Sequence, residues 1–349
     1  MGLPDASDSR LAALERWVVD DLGFGGGRIE PASADASFRR YFRISRGADT
    51  YIAMDAPPDK EDVAPFVRVA RMLAGMGLNV PIVLARHPQQ GFLLLSDLGS
   101  RQYLDELRAG REVDRLYDAA LAALVTMQTA GGVAAQELPR YDAALLLREM
   151  ELFPQWFLDR HLRLAVDARE RALLQGLFDA LAAAALSQPA GFVHRDYHSR
   201  NLLLTDADNP GILDFQDAVY GPITYDAVSL LKDCYIAWPK ERVREWLRDY
   251  RGRLARAGIP VAGSEADFQR WFDLMGLQRH IKVLGIFARL YYRDGKAGYL
   301  NDLPRVLDYV RTTAADYPET SEFAAFLAQR IDAAFAPAQA RAGARALPA

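Results

Sequence analysis

The stretch from Phe192 to Asp217, FVHRDYHSRNLLLTDADNPGILDFQD, constrains this chain more than any other. Gly191-Phe192-Val193-His194 reads as the entry of a short strand, Asp196 to Arg200 as a polar loop, and Asn201-Leu202-Leu203-Leu204-Thr205 as another strand. Asp206-Ala207-Asp208-Asn209-Pro210-Gly211 is a turn by composition. Asn and Asp bond their own backbone there, Pro presets φ, and Gly tolerates positive φ. Gly211-Ile212-Leu213 then runs back, so a hairpin returns Asp214 toward Asn201. Such a segment is either a surface hairpin whose acids face water or a device that holds a metal ion beside a hydroxyl.

The spacing favours the second reading. His194-x-Asp196-x-x-x-x-Asn201 is followed thirteen residues after Asn201 by Asp214-Phe215. Protein kinases carry H-R-D-x-x-x-x-N and then D-F-G. Here the spacing is kept, and Gln216 replaces the glycine. Phosphoryl transfer requires a carboxylate to orient the acceptor hydroxyl and receive its proton, with oxygen ligands for the metal that bridges the phosphates. Asp196 suits the first role; Asn201 and Asp214 suit the second.

A chain of 349 residues exceeds the size at which one core keeps growing, so two packed lobes are expected. Half of its residues are hydrophobic, which excludes a largely disordered chain. A net charge of −4 gives no general reason to bind nucleic acid or an anionic membrane. The single cysteine, Cys234, has no internal disulfide partner and reads as a buried, inert thiol. The first residues, MGLPDASDSR, carry early acids and no apolar core, unlike a secretory signal. No run reaches the roughly 20 apolar residues needed to span a bilayer. The expected setting is cytoplasmic, with no obligate protein partner evident.

Along the chain, Ser9 to Leu22 has the apolar spacing of a helix. Arg28–Glu30, Phe38–Ile44 and Thr50–Met54 read as three antiparallel strands. Glu61–Met76 reads as a helix, then Val80–Leu84 and Phe92–Leu95 as two more strands. The expected boundaries are an amino-terminal nucleotide-binding lobe over 1–98, a catalytic and substrate lobe over 99–336, and a disordered tail over 337–349. The second lobe is mainly helical, with long segments at Val113–Ala130, Ala143–Leu158, Ala168–Leu186, Tyr225–Trp238, Glu241–Ala257, Glu265–Tyr292, Leu303–Arg311 and Asp316–Phe335, several rich in strong helix formers. No repeat or sustained heptad suggests a solenoid or coiled coil.

A small sheet lobe followed by a large helical lobe carrying HRDYHSRN and LDFQD resembles the protein-kinase-like, bilobal α+β fold of the aminoglycoside phosphotransferase and choline kinase group. Within that group, FRRYFRI, MDAPPDKED, LLLSDLG, FVHRDYHSRNLLL and GILDFQDAVYGPITYD resemble the bacterial kinases of cell-wall recycling, which phosphorylate the anomeric hydroxyl of N-acetylmuramate and N-acetylglucosamine. The resemblance runs from about Arg10 to Phe335. It implies ATP and Mg2+ as cofactors, a small amino sugar as substrate, Asp196 as the catalytic aspartate, and Asn201 and Asp214 as magnesium ligands. His194 matches the histidine that props the catalytic loop. His198 points either into the loop interior or into the substrate cleft. Asp217 either faces the cleft or orders the loop. Arg195, Tyr197 and Arg200 are candidates for sugar hydroxyls or a lactyl carboxylate. Trp156, His161, Trp238, His280, Arg289 and Tyr291 are scattered over the helices, where core packing competes with ligand contact.

The nucleotide side departs from the protein-kinase pattern. No G-x-G-x-x-G loop is present; Ala32-Ser33-Ala34-Asp35-Ala36-Ser37-Phe38 stands between the first two strands, with Ser33 and Ser37 as hydroxyl donors for phosphate. Ile52-Ala53-Met54-Asp55 places an acid where the phosphate-binding lysine is sought. Lys60 is either its substitute or a solvated residue at a helix start. Arg40 and Arg43 are alternatives, because a guanidinium binds phosphate through a rigid donor fork. Ser96-Asp97-Leu98-Gly99 resembles the hinge that holds adenine, so Asp97 joins the candidates. Competing functions are a kinase for an aminoglycoside, choline or another small alcohol, and a noncatalytic nucleotide-binding pseudokinase. A protein kinase is disfavoured by the missing glycine-rich loop and the missing A-P-E segment.

Overall fold

The computed structural model describes residues 8–34 and 38–346. It divides into two compact units, Met1–Asp105 with Asn201–Asp217, and Glu106–Arg200 with Ala218–Ala349.

In the first unit, strands β1 (Arg28–Ala34), β2 (Arg40–Arg46), β3 (Asp49–Asp55), β4 (Val83–His87) and β5 (Phe92–Ser96) form an antiparallel sheet in the order β1-β2-β3-β5-β4. Helix α1 (Ser9–Arg16) and the turn Trp17–Asp21 cover one face. Strand alternation sends Phe42 and Ile44 of β2 to that face, where they pack with Leu14, Trp17, Val18, Ala53, Phe92 and Leu94. Arg40 shares this face. It reaches Asp8, whose carboxylate also caps α1 by accepting from Leu11 N at 3.0 Å. Helix α2 (Ala64–Gly75) follows β3 and starts three residues later than the expected Glu61, where Asp62 accepts from Ala64 N.

The hairpin after the His194–Arg200 loop was expected in the second lobe, whereas Asn201–Asp217 groups with the first unit. Beyond Ala190–Val193 (β6), the hairpin's two strands are β7 (Leu202–Leu203) and β8 (Gly211–Ile212), and they pair with each other. Their outer backbone groups are taken up by the first unit: Ile212 N donates to Asn79 O at 2.8 Å, and Leu204 N donates to Arg101 O at 2.7 Å. The Phe215 ring lies 4.9 Å from that of Phe66 on α2. Buried backbone groups need partners, and sequence adjacency does not reveal where those partners sit.

Helix α3 (Tyr103–Arg108) crosses the boundary between the units in the chain. The second unit is helical: α4 (Val113–Ala130), α5 (Gly132–Ala135), α6 (Ala143–Met150), α7 (Ala168–Leu186), α8 (Tyr225–Leu231), α9 (Lys240–Arg256), α10 (Glu265–Tyr292), α11 (Leu303–Asp316), α12 (Ser321–Phe326) and α13 (Asp332–Ala346). Strand β6 pairs with β9 (Val219–Pro222), which was not anticipated. Helix α10 is buried nearly all round and packs on α6, α7, α8 and α11. Gly285 lets it approach a π-helical stretch, Phe153–Leu162, since a Cβ there would stand 2.3 Å from the Leu152 carbonyl carbon.

The tail also differs from expectation, because helix continues to Ala346. Ala338 and Ala342 are buried, Gln339 Nε2 donates to Leu300 O at 3.0 Å, and Tyr291 OH donates to Ala342 O at 3.1 Å. An alanine face is a strong helix former that carries little apolar signal.

His161 and His280 lie in this helical core. His161 Nδ1 is 3.3 Å from Tyr292 OH, and His280 stacks on Tyr309 with Nε2 at 2.9 Å from Lys232 O. Burial, with Arg341 adding to it, lowers His161 to about 4; burial, with Arg279 adding to it, lowers His280 to about 3. The unfolded chain binds these protons near pH 6.5, so stability is full above that pH and falls as the pH drops toward 4 and 3. Each histidine contributes a slope of about 1.4 kcal/mol per pH unit within its window. Urea midpoints at pH 7 and pH 5 should show the loss, and His280→Gln should remove one proton's worth of slope. An unchanged slope in that variant would count against the assignment.

Candidate active site

In the second unit, the loop His194–Arg200 is held from three directions. Asp226 at the start of α8 is fully buried, and its two oxygens accept from His194 N at 2.6 Å and Arg195 N at 2.9 Å. Burial pushes its carboxyl up to about 7, against the pull of those two donors. Asp233 Oδ2 accepts from Ser199 N at 2.9 Å and Ser199 Oγ at 2.6 Å. Tyr197 OH donates to Ala120 O of α4 at 2.8 Å. His194 is buried and accepts from Asp196 N through Nδ1 at 3.3 Å, with its ring edge-on to Tyr197. Arg195 has φ 78°, a left-handed conformation that a non-glycine residue holds only when its surroundings enforce it. The loop is therefore a rigid mount for Asp196.

Asp196 is half-buried and surrounded by positive charge. Burial opposes its ionisation, yet His198, Lys282, Arg279 and Arg195 together hold the carboxyl below the ordinary aspartate range. Glu149 on α6 balances two of those cations: Oε1 accepts from Arg195 and from Lys282 Nζ, the latter at 2.9 Å, and Oε2 accepts from Tyr141 OH. Lys282 also donates to Tyr225 OH at 3.0 Å. Arg279 is 3% exposed, lies 5.7 Å from the Tyr225 ring and donates to Cys234 Sγ at 3.4 Å. Burial pushes the Cys234 thiol up to about 11, which makes it inert near neutrality.

Two loop arginines expected at the acceptor have other partners. Arg195 is paired with Glu149. Arg200 stacks on Tyr235 at 3.6 Å and lies 3.9 Å from Asp302. The His198 ring meets Tyr235 edge-on, with Nδ1 buried and unpartnered. Glu149, Asp226, Arg279 and Lys282 escaped sequence reasoning. The available signal was charge within otherwise apolar helical runs, as in Asp226-Ala227-Val228 and Arg279-His280-Ile281-Lys282-Val283.

In the first unit, the hairpin brings Asn201 and Asp214 together. Asn201 Nδ2 donates to Asp214 Oδ2 at 3.1 Å, Leu213 N donates to Asn201 O at 2.9 Å, and Gln216 Nε2 donates to Asp214 Oδ1 at 2.9 Å. Asp214 has φ 62°, a second enforced left-handed residue. Arg39, just before β2 and 9% exposed, places a guanidinium nitrogen 3.6 Å from Asp214 Oδ1. Asp217 is exposed, with Oδ2 3.4 Å from Gln216 Nε2.

The nucleotide candidates fare unevenly. Arg43 and Asp97 bind each other: Arg43 Nε donates to Oδ2 at 2.6 Å and a terminal nitrogen to Oδ1 at 3.1 Å. The Arg43 fork is thereby committed, and despite burial Asp97 is held below the usual carboxylate range by Arg43 and the Gly99 N–H. Lys60 is exposed and lies 3.6 Å from Asp59. Ser33 stands on β1 opposite Tyr41, and Ser37 lies outside the described residues.

The family model described as the phosphotransferase enzyme family matches residues 28–262, a span that includes β1–β9 and the whole stretch from Phe192 to Asp217. The chain belongs to this family. As a phosphotransferase it uses ATP as donor and an alcohol as acceptor. It is 50% identical over 93% of its length to the N-acetylmuramate/N-acetylglucosamine kinase of Pseudomonas aeruginosa, covering 97% of that protein. To the protein of the same name from Neisseria meningitidis it is 43% identical over 92% of its length, covering 96%. Its fold is that of a choline/ethanolamine kinase family protein from Mesorhizobium loti (TM-score 0.60, 14% identity, 90% of this chain and 97% of the other). An aminoglycoside phosphotransferase in complex with gentamicin shares it too (TM-score 0.59, 13% identity, 88% and 97%). The protein-kinase-like α+β fold and the family read from the motifs are borne out. Among the described residues, no helix is long and apolar enough to cross a membrane.

Proposed function

We propose that this phosphotransferase transfers the γ-phosphoryl group of ATP to the anomeric C1 hydroxyl of N-acetylmuramate and N-acetylglucosamine, giving the sugar 1-phosphates. The observation that carries this reading is the 50% identity, over 93% of the chain, to a kinase named for those two sugars. We place the reaction in the cytoplasm, where ATP is.

Asp196 orients the acceptor hydroxyl and receives its proton as the new oxygen–phosphorus bond forms and the bond to the β-phosphate oxygen breaks. A carboxyl held low by neighbouring cations is a weak base, and a loose transition state asks for positioning more than for early proton removal. Asp226, Asp233 and Tyr197 keep the loop from yielding. Asn201 and Asp214 suit a magnesium ion: one carboxylate and one amide oxygen are hard ligands, and magnesium completes its shell with waters and phosphate oxygens. Gln216 Oε1, a buried acceptor without a partner beside Asp214, suits a metal-bound water. Bound there, the ion would draw off charge on the phosphate oxygens.

The test is a transfer panel of N-acetylmuramate, N-acetylglucosamine, glucosamine, choline and an aminoglycoside, with product position read by phosphorus NMR. A 1-phosphate on an N-acetylated amino sugar is the expected product. Phosphorylation of choline or an aminoglycoside alone would overturn the assignment.

A further inference from the structure

The third strand of the sheet carries no lysine for the ATP phosphates, and the structure closes several alternatives. Asp55, at the end of β3, is fully buried and serves as an anchor, accepting from Arg10 Nε at 2.9 Å and from Arg40 at 3.0 and 2.5 Å. Arg40 is held further by Asp8, and Arg43 by Asp97 and the Gly99 carbonyl. Lys60 is exposed beside Asp59. Arg39 differs in direction: it is buried and faces Asp214, on the hairpin that pairs Asp214 with Asn201.

We propose that Arg39 is the phosphate-binding cation of this enzyme, replacing the third-strand lysine, an inference that rests on reading Asp214 as the ligand of metal-bound ATP. A guanidinium is weakly hydrated and tolerates burial better than an ammonium, and its planar fork binds two phosphate oxygens at once. One of its terminal nitrogens stands 3.6 Å from Asp214 Oδ1, which places the guanidinium beside that carboxylate. ATP brings more negative charge than one divalent ion neutralises, and Arg39 stands beside the carboxylate where that excess would arrive. Strand alternation explains why Arg40 cannot serve: it lies on the opposite face of β2, with Phe42 and α1.

The experiment measures ATP, ADP and AMP affinities by calorimetry, with magnesium, for the wild type, Arg39→Met, Arg39→Lys and Lys60→Ala. The expected result is a loss of about tenfold to a hundredfold for ATP and ADP in Arg39→Met, with AMP unchanged. Arg39→Lys, which keeps the charge, should lose less and gives the answer if the methionine variant does not fold. Equal losses for ATP and AMP, unchanged affinities in both Arg39 variants, or a selective ATP loss in Lys60→Ala instead would overturn the proposal. A wild type that binds no ATP would overturn the underlying nucleotide reading, which separates the two failures.

Discussion

Asp196→Asn should lower turnover by about 10² to 10⁴, the usual cost of losing a positioned proton acceptor, while ATP affinity stays near that of the wild type. The amide keeps the shape of the carboxylate and its place on the loop. It cannot receive the acceptor proton, and it presents an N–H where a negative charge should face the hydroxyl. The loop itself should persist, since Asp226, Asp233 and Tyr197 hold it through His194, Arg195, Ser199 and Ala120. Steady-state kinetics with N-acetylglucosamine, alongside ATP calorimetry, read both quantities. Undiminished turnover would remove Asp196 from its role, and a matched loss of ATP binding would point to a damaged fold.

Glu149→Leu should cost about 3 to 5 kcal/mol of stability, because it strands buried cations without a counter-charge. Burial works against the Glu149 carboxylate, but Lys282 and Arg195 outweigh it and keep the group ionised. Removing it leaves Lys282, 9% exposed in its side chain, and Arg195, 20% exposed, close to Arg279 with a large part of their compensation gone. Tyr141 OH would lose its acceptor as well. Adding Lys282→Met should recover part of the loss, since one stranded charge then disappears. Urea unfolding followed by circular dichroism gives the comparison. A cost below about 1 kcal/mol would place these cations in better solvation than their burial indicates.

The reaction class was legible because phosphoryl transfer depends on a few side chains at short chain separations. His194, Asp196, Asn201 and Asp214 lie within one loop and one hairpin, so linear spacing carries their geometry. The long helices were legible for a related reason: periodicity and propensity are local. Val113–Ala130, Ala168–Leu186 and Glu265–Tyr292 form with the boundaries that the sequence suggests. The tail helix was missed because its contacts run through alanines and through acceptors far along the chain, such as Leu300 O and His161 O.

By itself, then, the sequence determined the family and the fold class, both written in local pattern, and it set Asp196, Asn201 and Asp214 at the spacing the proposed chemistry calls for. Only the tertiary structure decided how charge is distributed around them. It assigned Asn201–Asp217 to the first unit, paired Arg43 with Asp97, buried Asp55 under two arginines, turned Arg39 to Asp214, and surrounded Asp196 with cations drawn from α10 and its own loop. The reason is physical: an ion pair depends on distance and burial, and residues 54 or 133 positions apart along the chain, as in Arg43–Asp97 and Glu149–Lys282, carry no signal of that proximity until the backbone has folded.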